Sequence, residues 1–350
     1  MSVLCKPALV YPPYKIDQQG IINVLSKLHP DHPQWEMIET LIRNTKVERR
    51  NLIRPIEEVV RFEGFEQRNN IFTEECKKMS IEACEMALIN ASLDASAIDM
   101  IIVTSCTGFM MPSITAYLIS KMNFRNNTRQ LPIAQLGCVA GCSAINRAYD
   151  YISLFPKHNV LLLTVEFSSL CFQQSQSSIS SFISNSIFGD CVTACVMKGG
   201  SAAGYKVTRS DSYLLKNTEH YIAYVVKDSG YHFILDKEVM HSIKKVSPVL
   251  MEFISRDPGL TVNDLDFCIF HTGGRRILDE LVLHLSLDNS MVQPSRDSLL
   301  NNGNIASGVI FDVLSRQFDG GQRRDGDIGL MAAFGPGFTA EYNIGQWIEG

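Results

Sequence analysis

The sequence feature that most constrains the fold is an order of motifs that occurs twice along the 350 residues. Three pairs of segments match in the same order, namely residues 98–104 with 265–270, residues 137–140 with 303–306, and residues 188–194 with 334–340. One match has little weight by itself, but three in register indicate a duplicated unit. Because buried strands alternate with helical patterns in each copy, we predict an α/β fold of two similar halves, residues 1–200 and 201–350, packed as one compact unit.

Cys138 lies where a short apolar run ends in a glycine and a helical pattern begins. After Gly137, the apolar residues Ile145, Ala148 and Ile152 recur at helical spacing, which places the thiol at the first turn of a buried helix. The unpaired N–H groups and partial positive charge of a helix start favour the thiolate, so we expect its pKa to fall from about 8.5 toward neutrality. An inert buried cysteine is the alternative, and this stretch alone leaves both interpretations open.

The duplication also predicts where a ligand binds. If the halves are related by a pseudo-two-fold axis, Cys138 and Asn304 begin equivalent helices, and His271 follows a strand on the same side. Clefts at strand ends between related halves are common ligand sites in α/β proteins. A lone histidine at a strand end is more often structural, but here three polar groups converge. We therefore expect Cys138, His271 and Asn304 to face one pocket.

Composition excludes several classes of partner. The net charge of −5 provides no basic surface, so we expect no nucleic acid partner. No run approaches the roughly 18 apolar residues of a membrane span, and the N-terminus lacks the pattern of a secretion signal. The ten cysteines are scattered, which is typical of reduced thiols in the cytoplasm. Cys138 and Cys142 have no histidine at ligand spacing, so we predict no metal site.

Four motifs extend the comparison over nearly the whole chain: Gly137-Cys138-Val139-Ala140-Gly141, His271-Thr272-Gly273-Gly274, Gly303-Asn304-Ile305-Ala306-Ser307 and Phe334-Gly335-Pro336-Gly337. Together they resemble the type III polyketide synthases, the chalcone and stilbene synthase family of the thiolase fold. The resemblance implies βαβαβαββ halves in a layered α-β-α-β-α architecture. The N-terminal segment resembles the type III domains that social amoebae carry at the C-terminus of hybrid fatty-acid-synthase-like proteins.

The resemblance implies an acyltransferase with a catalytic triad of Cys138, His271 and Asn304. Cys138 would attack an acyl thioester and hold the acyl group, with His271 as the ion-pair partner of the thiolate. His271 and Asn304 would donate to the thioester oxygen of malonyl-CoA as it loses carbon dioxide. The carbanion would then extend the acyl group in a decarboxylating Claisen condensation. This chemistry implies repeated extension and cyclisation, with no metal or redox cofactor.

The same resemblance assigns residues to the substrate cavity. Phe188 and Phe233 would be the gatekeeper phenylalanines, whose rings exclude water and steer malonyl groups toward decarboxylation. Met111 would reach into the cavity of a partner subunit, which implies a homodimer. Gly335-Pro336-Gly337 would form a rigid loop that shapes the cavity.

Several positions depart from the plant members of the family. Thr272 replaces a proline and Cys142 a glycine within the motifs. In the cavity, Cys171 replaces a threonine, Tyr224 a glycine (if the alignment from Phe233 is ungapped) and Ala306 a serine. Tyr224 adds bulk while Cys171 and Ala306 remove polarity, so we predict an aliphatic starter.

The positions that recognise the carrier also depart from the family pattern. The family's basic positions for the coenzyme A phosphates fall on Met37, Thr40 and Asn44, none of which is basic. Arg43, Lys46 or Arg276 would have to substitute, unless an acyl carrier protein of the same larger polypeptide delivers the starter. Arg43 and Lys46 belong to a basic cluster with Arg49, Arg50 and Arg54, which is either a solvated face or a contact for carrier phosphates.

Three functions remain to be compared. The leading one is an iterative synthase that releases an acylphloroglucinol, an alkylresorcinol or a pyrone. The second is a single-step ketoacyl synthase of the type that starts bacterial fatty acid synthesis, which uses the same triad. The motifs around His271 and Phe334 favour the first. The third is a non-catalytic thiolase-fold dimerisation module, and the presence of all three triad residues argues against it.

Overall fold

The computed structural model describes residues 1–321 and 323–349. The strands are β1 (Val3–Leu4), β2 (Ala8–Val10), β3 (Tyr14–Asp17), β4 (Arg49–Leu52), β5 (Met100–Ser105), β6 (Arg129–Ala134), β7 (Asn159–Phe167), β8 (Asp190–Lys198), β9 (Gly204–Leu214), β10 (Ile222–Lys227), β11 (Gly230–Leu235), β12 (Phe267–Phe270), β13 (Ile328–Gly335) and β14 (Thr339–Ile348). The α-helices are α1 (Gln18–Leu28), α2 (Trp35–Asn44), α3 (Ile56–Val59), α4 (Gly64–Asn90), α5 (Ile114–Lys121), α6 (Ala140–Leu154), α7 (Ile179–Ile187), α8 (Ser242–Ile254), α9 (Arg275–Leu285), α10 (Gln293–Asn302) and α11 (Val309–Asp319). None of the helices described has both the length and the apolar character needed to cross a membrane.

The strand pairing is duplicated as the motifs are. In the first half, β5 runs parallel to β7 and β7 runs antiparallel to β8. In the second half, β12 runs parallel to β13 and β13 antiparallel to β14. Helix α6 leads into β7 as α11 leads into β13. The predicted α/β architecture is therefore confirmed. The division at residue 200 stays a prediction, since β1 pairs with both β8 and β9 and joins the halves in one sheet order.

The layers follow from the alternation of side chains along buried strands. On β5, Ile102 packs into a central cluster with α6 and α11, whereas Ile101 and Val103 pack on the opposite face against α4. On β12, Phe267 and Ile269 belong to the central cluster, while the alternate residues face α8 and α9. The central helices thus have a sheet on both sides, and the outer helices cover the far faces.

The two central helices begin at backbone contact distance. Gly141, in the first turn of α6, faces the segment that leads into α11, and a Cβ on Gly141 would lie 2.1 Å from the Ser307 carbonyl oxygen. Only a residue without a side chain permits this approach. The contact brings the segments of Cys138 and Asn304 together from opposite halves.

Some local predictions differ from the structure. The apolar spacing of residues 74–92 predicts a helix, and the helix observed there, α4, begins ten residues earlier at Gly64. The same spacing places Met86 on one face with Met79, Ala83 and Ala87, but Met86 is 42% exposed, because the buried face of α4 is centred on Cys76, Ser80, Ala83 and Ala87 and Met86 lies to its side. The composition of the serine-rich residues 175–186 is compatible with a loop or with a helix start, and the structure has helix α7 there with Ser178 as its N-cap.

The contact between the central helices predicts a stability effect. Gly141→Ala should lower the free energy of unfolding by about 1–3 kcal/mol, since the methyl group meets backbone that side-chain rotation cannot move. Urea titration measures this difference. Gly200→Ala is the control: a Cβ there has nothing within 4 Å, and we expect a change within about 0.5 kcal/mol. Equal stabilities of the two variants would show that the helices can move apart without loss.

Candidate active site

The structure brings Cys138, His271 and Asn304 together in one cavity, with Phe188 and Phe233 in its wall. The free volume of this cavity is about 60 Å³. The wall is mostly apolar, so the three polar side chains stand in a water-poor environment. We call this space the triad cavity.

Cys138 lies in a short 3₁₀ turn, Gly137–Val139, that leads into α6. Gly137 has a φ of 58°, and a Cβ there would lie 2.8 Å from the ring of Pro336. The glycine therefore permits both the sharp turn and the close approach of the Gly335-Pro336-Gly337 loop. The geometry agrees with the predicted helix-start position of the thiol.

His271 and Asn304 orient one another. The Asn304 Oδ1 atom accepts a hydrogen bond from the Ala306 N–H at 2.9 Å, which fixes the direction of the amide. The same oxygen lies 3.3 Å from His271 Nε2, so this nitrogen carries the proton and donates. The Asn304 amide group is then directed to Cys138, where its hydrogen bond lowers the pKa of the thiol. His271 is 2% exposed.

Burial dominates the charge states of the site. Desolvation raises the pKa of Cys138 to about 12, and the nearby charge of Glu166 adds to the increase. Desolvation lowers the pKa of His271 to about 4. The expectation that the helix start would lower the Cys138 pKa was wrong, because this helix start is inside the protein and desolvation of the thiolate outweighs its favourable hydrogen bonds. A thiolate on Cys138 and an imidazolium on His271 would lie in one cavity, and their attraction would offset part of both desolvation penalties.

Sequence reasoning missed the buried carboxyl group of Glu166, near the end of β7. It accepts hydrogen bonds from Ser307 Oγ at 2.5 Å and from Cys106 N–H and Thr107 Oγ1, both at 3.2 Å. Thr104 Oγ1 donates to Ser307 Oγ at 3.0 Å. Burial raises the pKa of Glu166 to about 7. The sequence does contain a signal for this site, because Glu166 is the only carboxylate in an otherwise apolar strand. A carboxylate buried in such a strand requires polar partners.

A larger cavity, which we call the main cavity, adjoins the triad cavity and also contains Cys138. It has a free volume of about 410 Å³. The predicted cavity residues that line it are Phe188, Tyr224, Phe233, Ala306 and Pro336. The Phe188 and Phe233 rings meet edge to face with centroids 5.2 Å apart, and they form a partition between the cavities. Tyr224 is paired with Phe233 across the β10–β11 hairpin.

The remaining predicted residues lie around these cavities. Cys171 lines a third pocket, beside Tyr224. A Cβ on Gly335 would lie 2.8 Å from the Val139 N atom, and Gly337 has a φ of 67°, so both glycines are required by the backbone. Met111 is 87% exposed and belongs to neither cavity wall, although Phe109 of the same loop lines the main cavity.

The proposed carrier contacts are placed less favourably. Arg43 is exposed and bound to Glu39 at 2.7 Å, and neither it nor Lys46 lines the triad cavity or the main cavity. Arg276 is exposed beside Ile277, a residue of the triad cavity wall. The interpretation of the basic cluster as one surface was wrong for Arg50, which is 2% exposed because its strand faces the protein interior.

A duplicated α/β fold with cysteine, histidine and asparagine in a shared buried cavity defines a condensing enzyme of the thiolase fold. Family models for the chalcone and stilbene synthases match residues 32–201 (N-terminal domain) and 206–346 (C-terminal domain). The chain belongs to the chalcone and stilbene synthase family, and it is a type III polyketide synthase, an acyltransferase.

Similar proteins support this assignment. A phloroglucinol synthase of Pseudomonas fluorescens Pf-5 is 51% identical over 99% of both chains. A 1,3,6,8-tetrahydroxynaphthalene synthase of Streptomyces griseus is 45% identical over 100% of this chain and 94% of that one. The crystal structure of the Streptomyces coelicolor A3(2) tetrahydroxynaphthalene synthase, at 43% identity, superimposes with a TM-score of 0.97 over 99% of this chain and 100% of that one.

The type III domain of Steely1 from Dictyostelium shares the fold, with a TM-score of 0.93 over 99% of both chains, but only 21% of the sequence. The identities to the bacterial synthases are about twice as high. The resemblance of the N-terminal segment to social-amoeba domains therefore reflects the shared fold alone.

The charge states of the site predict a pH profile for alkylation of Cys138. In His271→Ala no group accepts the proton, and burial holds the thiol pKa near 12. The iodoacetamide rate at Cys138, followed by peptide mass, should then be low at pH 7 and rise about tenfold per pH unit up to pH 9, because the thiolate fraction does so below the pKa. Wild type should react faster at pH 7. His284→Ala, which alters a surface histidine bound to Glu280, should keep the wild-type profile. A rate that levels off below pH 8 in His271→Ala would contradict this account.

Proposed function

We propose that Cys138 is the nucleophile of an iterative decarboxylative condensation, and that His271 and Asn304 bind the reacting oxygen. The observation that carries the proposal is the orientation of Asn304, whose amide group is directed to the sulfur while its oxygen is occupied by the Ala306 N–H. The thiolate attacks the acyl carbonyl carbon, and the carrier thiol leaves with the proton. The acyl group is then held as a thioester of Cys138.

The extension step uses the same two donors. The bond between the carboxylate and the α-carbon of malonyl-CoA breaks, carbon dioxide leaves, and the electron pair becomes an enolate. The Asn304 amide donates a hydrogen bond to the enolate oxygen, and the His271 Nε2–H turns from Asn304 Oδ1 to this oxygen and donates a second one. Each such donor is worth about 3–4 kcal/mol in related chemistry. The enolate carbon attacks the acyl group, and the Cys138 thiolate leaves. Since the electron pair comes from the malonyl group, the proposed reaction requires no metal or redox cofactor.

The proposal also concerns the identity of the starter. The sequence predicts an aliphatic starter, on CoA or on a carrier protein, and Cys171 and Ala306 support it by reducing the polarity of the walls. The relatives favour a second candidate, malonyl-CoA as both starter and extender. Two of them are named for phloroglucinol and tetrahydroxynaphthalene, aromatic polyols without an alkyl chain. The main cavity, with about 410 Å³, supports cyclisation of a chain of either kind.

Product analysis tests the proposal. With malonyl-CoA, alone or with hexanoyl-CoA, the enzyme should release aromatic or pyrone products that contain two or more condensed malonyl-derived units. A product with one added unit would indicate a single-step ketoacyl synthase instead. Cys138→Ala should abolish both the product and the acyl adduct seen by mass spectrometry. Cys84→Ala, a buried cysteine distant from the cavities, should keep both. No adduct in wild type would support a non-catalytic module.

We also propose a homodimer, in which Met111 completes the cavity of the partner subunit. Two features support it: Met111 and Phe109 are 87% and 59% exposed on one loop, and β6 forms an open sheet edge with exposed side chains. Apolar side chains and sheet edges of this kind are normally covered by a partner. The ten free thiols suit the reducing cytoplasm that we predict from the sequence.

The dimer proposal predicts the molecular mass in solution and the effect of a substitution at Met111. Analytical ultracentrifugation of wild type should show twice the chain mass. Met111→Asp places a charge in the proposed interface and should increase the dissociation constant by about tenfold or more, because a buried unpaired charge is costly. Met86→Asp, a matched change on helix α4, should leave the dimer intact. A monomeric wild type would exclude the arrangement.

A further inference from the structure

The third pocket lies behind the gatekeeper rings. Phe188 and Phe233 line both this pocket and the triad cavity, so the two spaces are one aromatic layer apart. Its free volume is only about 30 Å³, enough for a small polar group or two waters. Among the described residues that line it, Arg50 alone carries a charge at neutral pH, while Leu52 and Ile56 contribute apolar walls. We call this space the Arg50 pocket.

Arg50 is held in this position by contacts with the segments that precede β8 and Asn304 and with the end of α7. Its stem passes over two glycines: a Cβ on Gly189 would lie 3.2 Å from the Arg50 Cβ, and one on Gly303 would lie 3.5 Å from it. These glycines precede β8 and Asn304. The Arg50 Nη2 atom donates to the Asn185 carbonyl oxygen at 2.5 Å. Its Nε and Nη1 atoms are buried and have no hydrogen-bond partner in the part of the chain that the structure describes.

Asp190 is near Arg50 but does not use these donors. Its carboxylate accepts hydrogen bonds from the Ile53 N–H at 2.7 Å and the Ser169 N–H at 2.8 Å, and a third from Ser169 Oγ. Within residues 1–321 and 323–349, no carboxylate oxygen lies within 4.0 Å of the Arg50 guanidinium. Burial lowers the pKa of Arg50 to about 10, so the group remains cationic at neutral pH. A buried cation with unused donors favours an anionic ligand.

We propose that the Arg50 pocket binds the free carboxylate of a dicarboxylic acyl chain carried on Cys138, that is, of a chain primed with malonyl. Each new unit enters next to the thioester, so the starter end moves away from Cys138 while its carboxylate is retained. That end reaches the Arg50 pocket when the Phe188 or Phe233 ring turns aside. An alkyl end would leave Arg50 unpaired, so the pocket discriminates against it. The inference rests on the proposed function and selects malonyl over the aliphatic starter.

The test compares two starters in one enzyme. Arg50→Met keeps an unbranched apolar stem and removes the charge, and Arg50→Lys keeps the charge but not the planar donors. We expect the ratio of malonyl-primed to hexanoyl-primed product to fall about 10- to 100-fold in Arg50→Met, the range for losing a hydrogen bond to a charged group. The product ratio of Arg50→Lys should lie between those of Arg50→Met and wild type. Arg209→Met, which removes a partly buried arginine bound to Asp257 far from the pocket, should leave the ratio unchanged.

Other outcomes distinguish a failure of the Arg50 proposal from a failure of the proposed condensation at Cys138. An equal loss of both products would show that Arg50 only supports the adjacent Asn304 segment, and an unchanged ratio would show that waters satisfy it; either result overturns the inference. A wild type that makes only hexanoyl-primed products would overturn it while the proposed function stands. Absence of any product and of any Cys138 adduct would instead remove the proposed function.

A second measurement covers the case in which Arg50→Met does not fold. In wild type, sodium malonate should raise the melting temperature more than neutral malonamide at matched ionic strength, because only the dianion pairs with Arg50. The excess should shrink in Arg50→Lys, disappear in Arg50→Met if that variant folds, and remain in Arg209→Met. Equal shifts from malonate and malonamide in wild type would overturn the proposal.

Discussion

The close approach of the two central helix starts is the constraint on which the rest of the structure depends. Gly141 packs against the Ser307 carbonyl with no room for a side chain, and this contact joins two halves that each have their own outer helices. It places Cys138 from one half beside Asn304 from the other. Phe188 is tied to the same point, since the N–H that follows it, on Gly189, donates to the Asn304 carbonyl at 3.1 Å. Backbone contacts alone thus bring the segments of the site together.

Burial at this junction determines the electrostatics. Desolvation raises the pKa of Cys138 and lowers that of His271, so neither ion is favoured alone. It also raises the pKa of Glu166 and Asp190, two carboxyl groups that the surrounding hydroxyl and N–H groups keep hydrogen-bonded. In such a medium each charge requires a specific partner. A proton therefore transfers only where an opposite charge can form next to it. A buried cation with unused hydrogen-bond donors, such as Arg50, is a candidate site for an anion.

Much of the fold and the main part of the candidate site were predictable. The duplicated motifs led to the α/β architecture, and the spacing of glycines led to Cys138 and Asn304 as equivalent helix starts. Other features were not predictable from pattern. Met86 has the periodicity of a buried residue but lies to the side of the buried face of α4, and Arg50 belongs to a basic cluster but is buried. Periodicity states which residues share a face, and it does not state which part of that face the neighbouring layer covers.

By itself, the sequence determined the repeated order of elements, the turns that need glycine and the identity of the three polar side chains at the centre. These are properties of spacing along the chain and of the limited backbone angles that each residue allows. The tertiary structure decided which of those side chains meet, how the rings of Phe188 and Phe233 divide the interior, and which ionisable groups lose their water. The reason is physical: hydrogen bonds, cavity walls and desolvation depend on atoms that are far apart in sequence and become neighbours only when the two halves pack together.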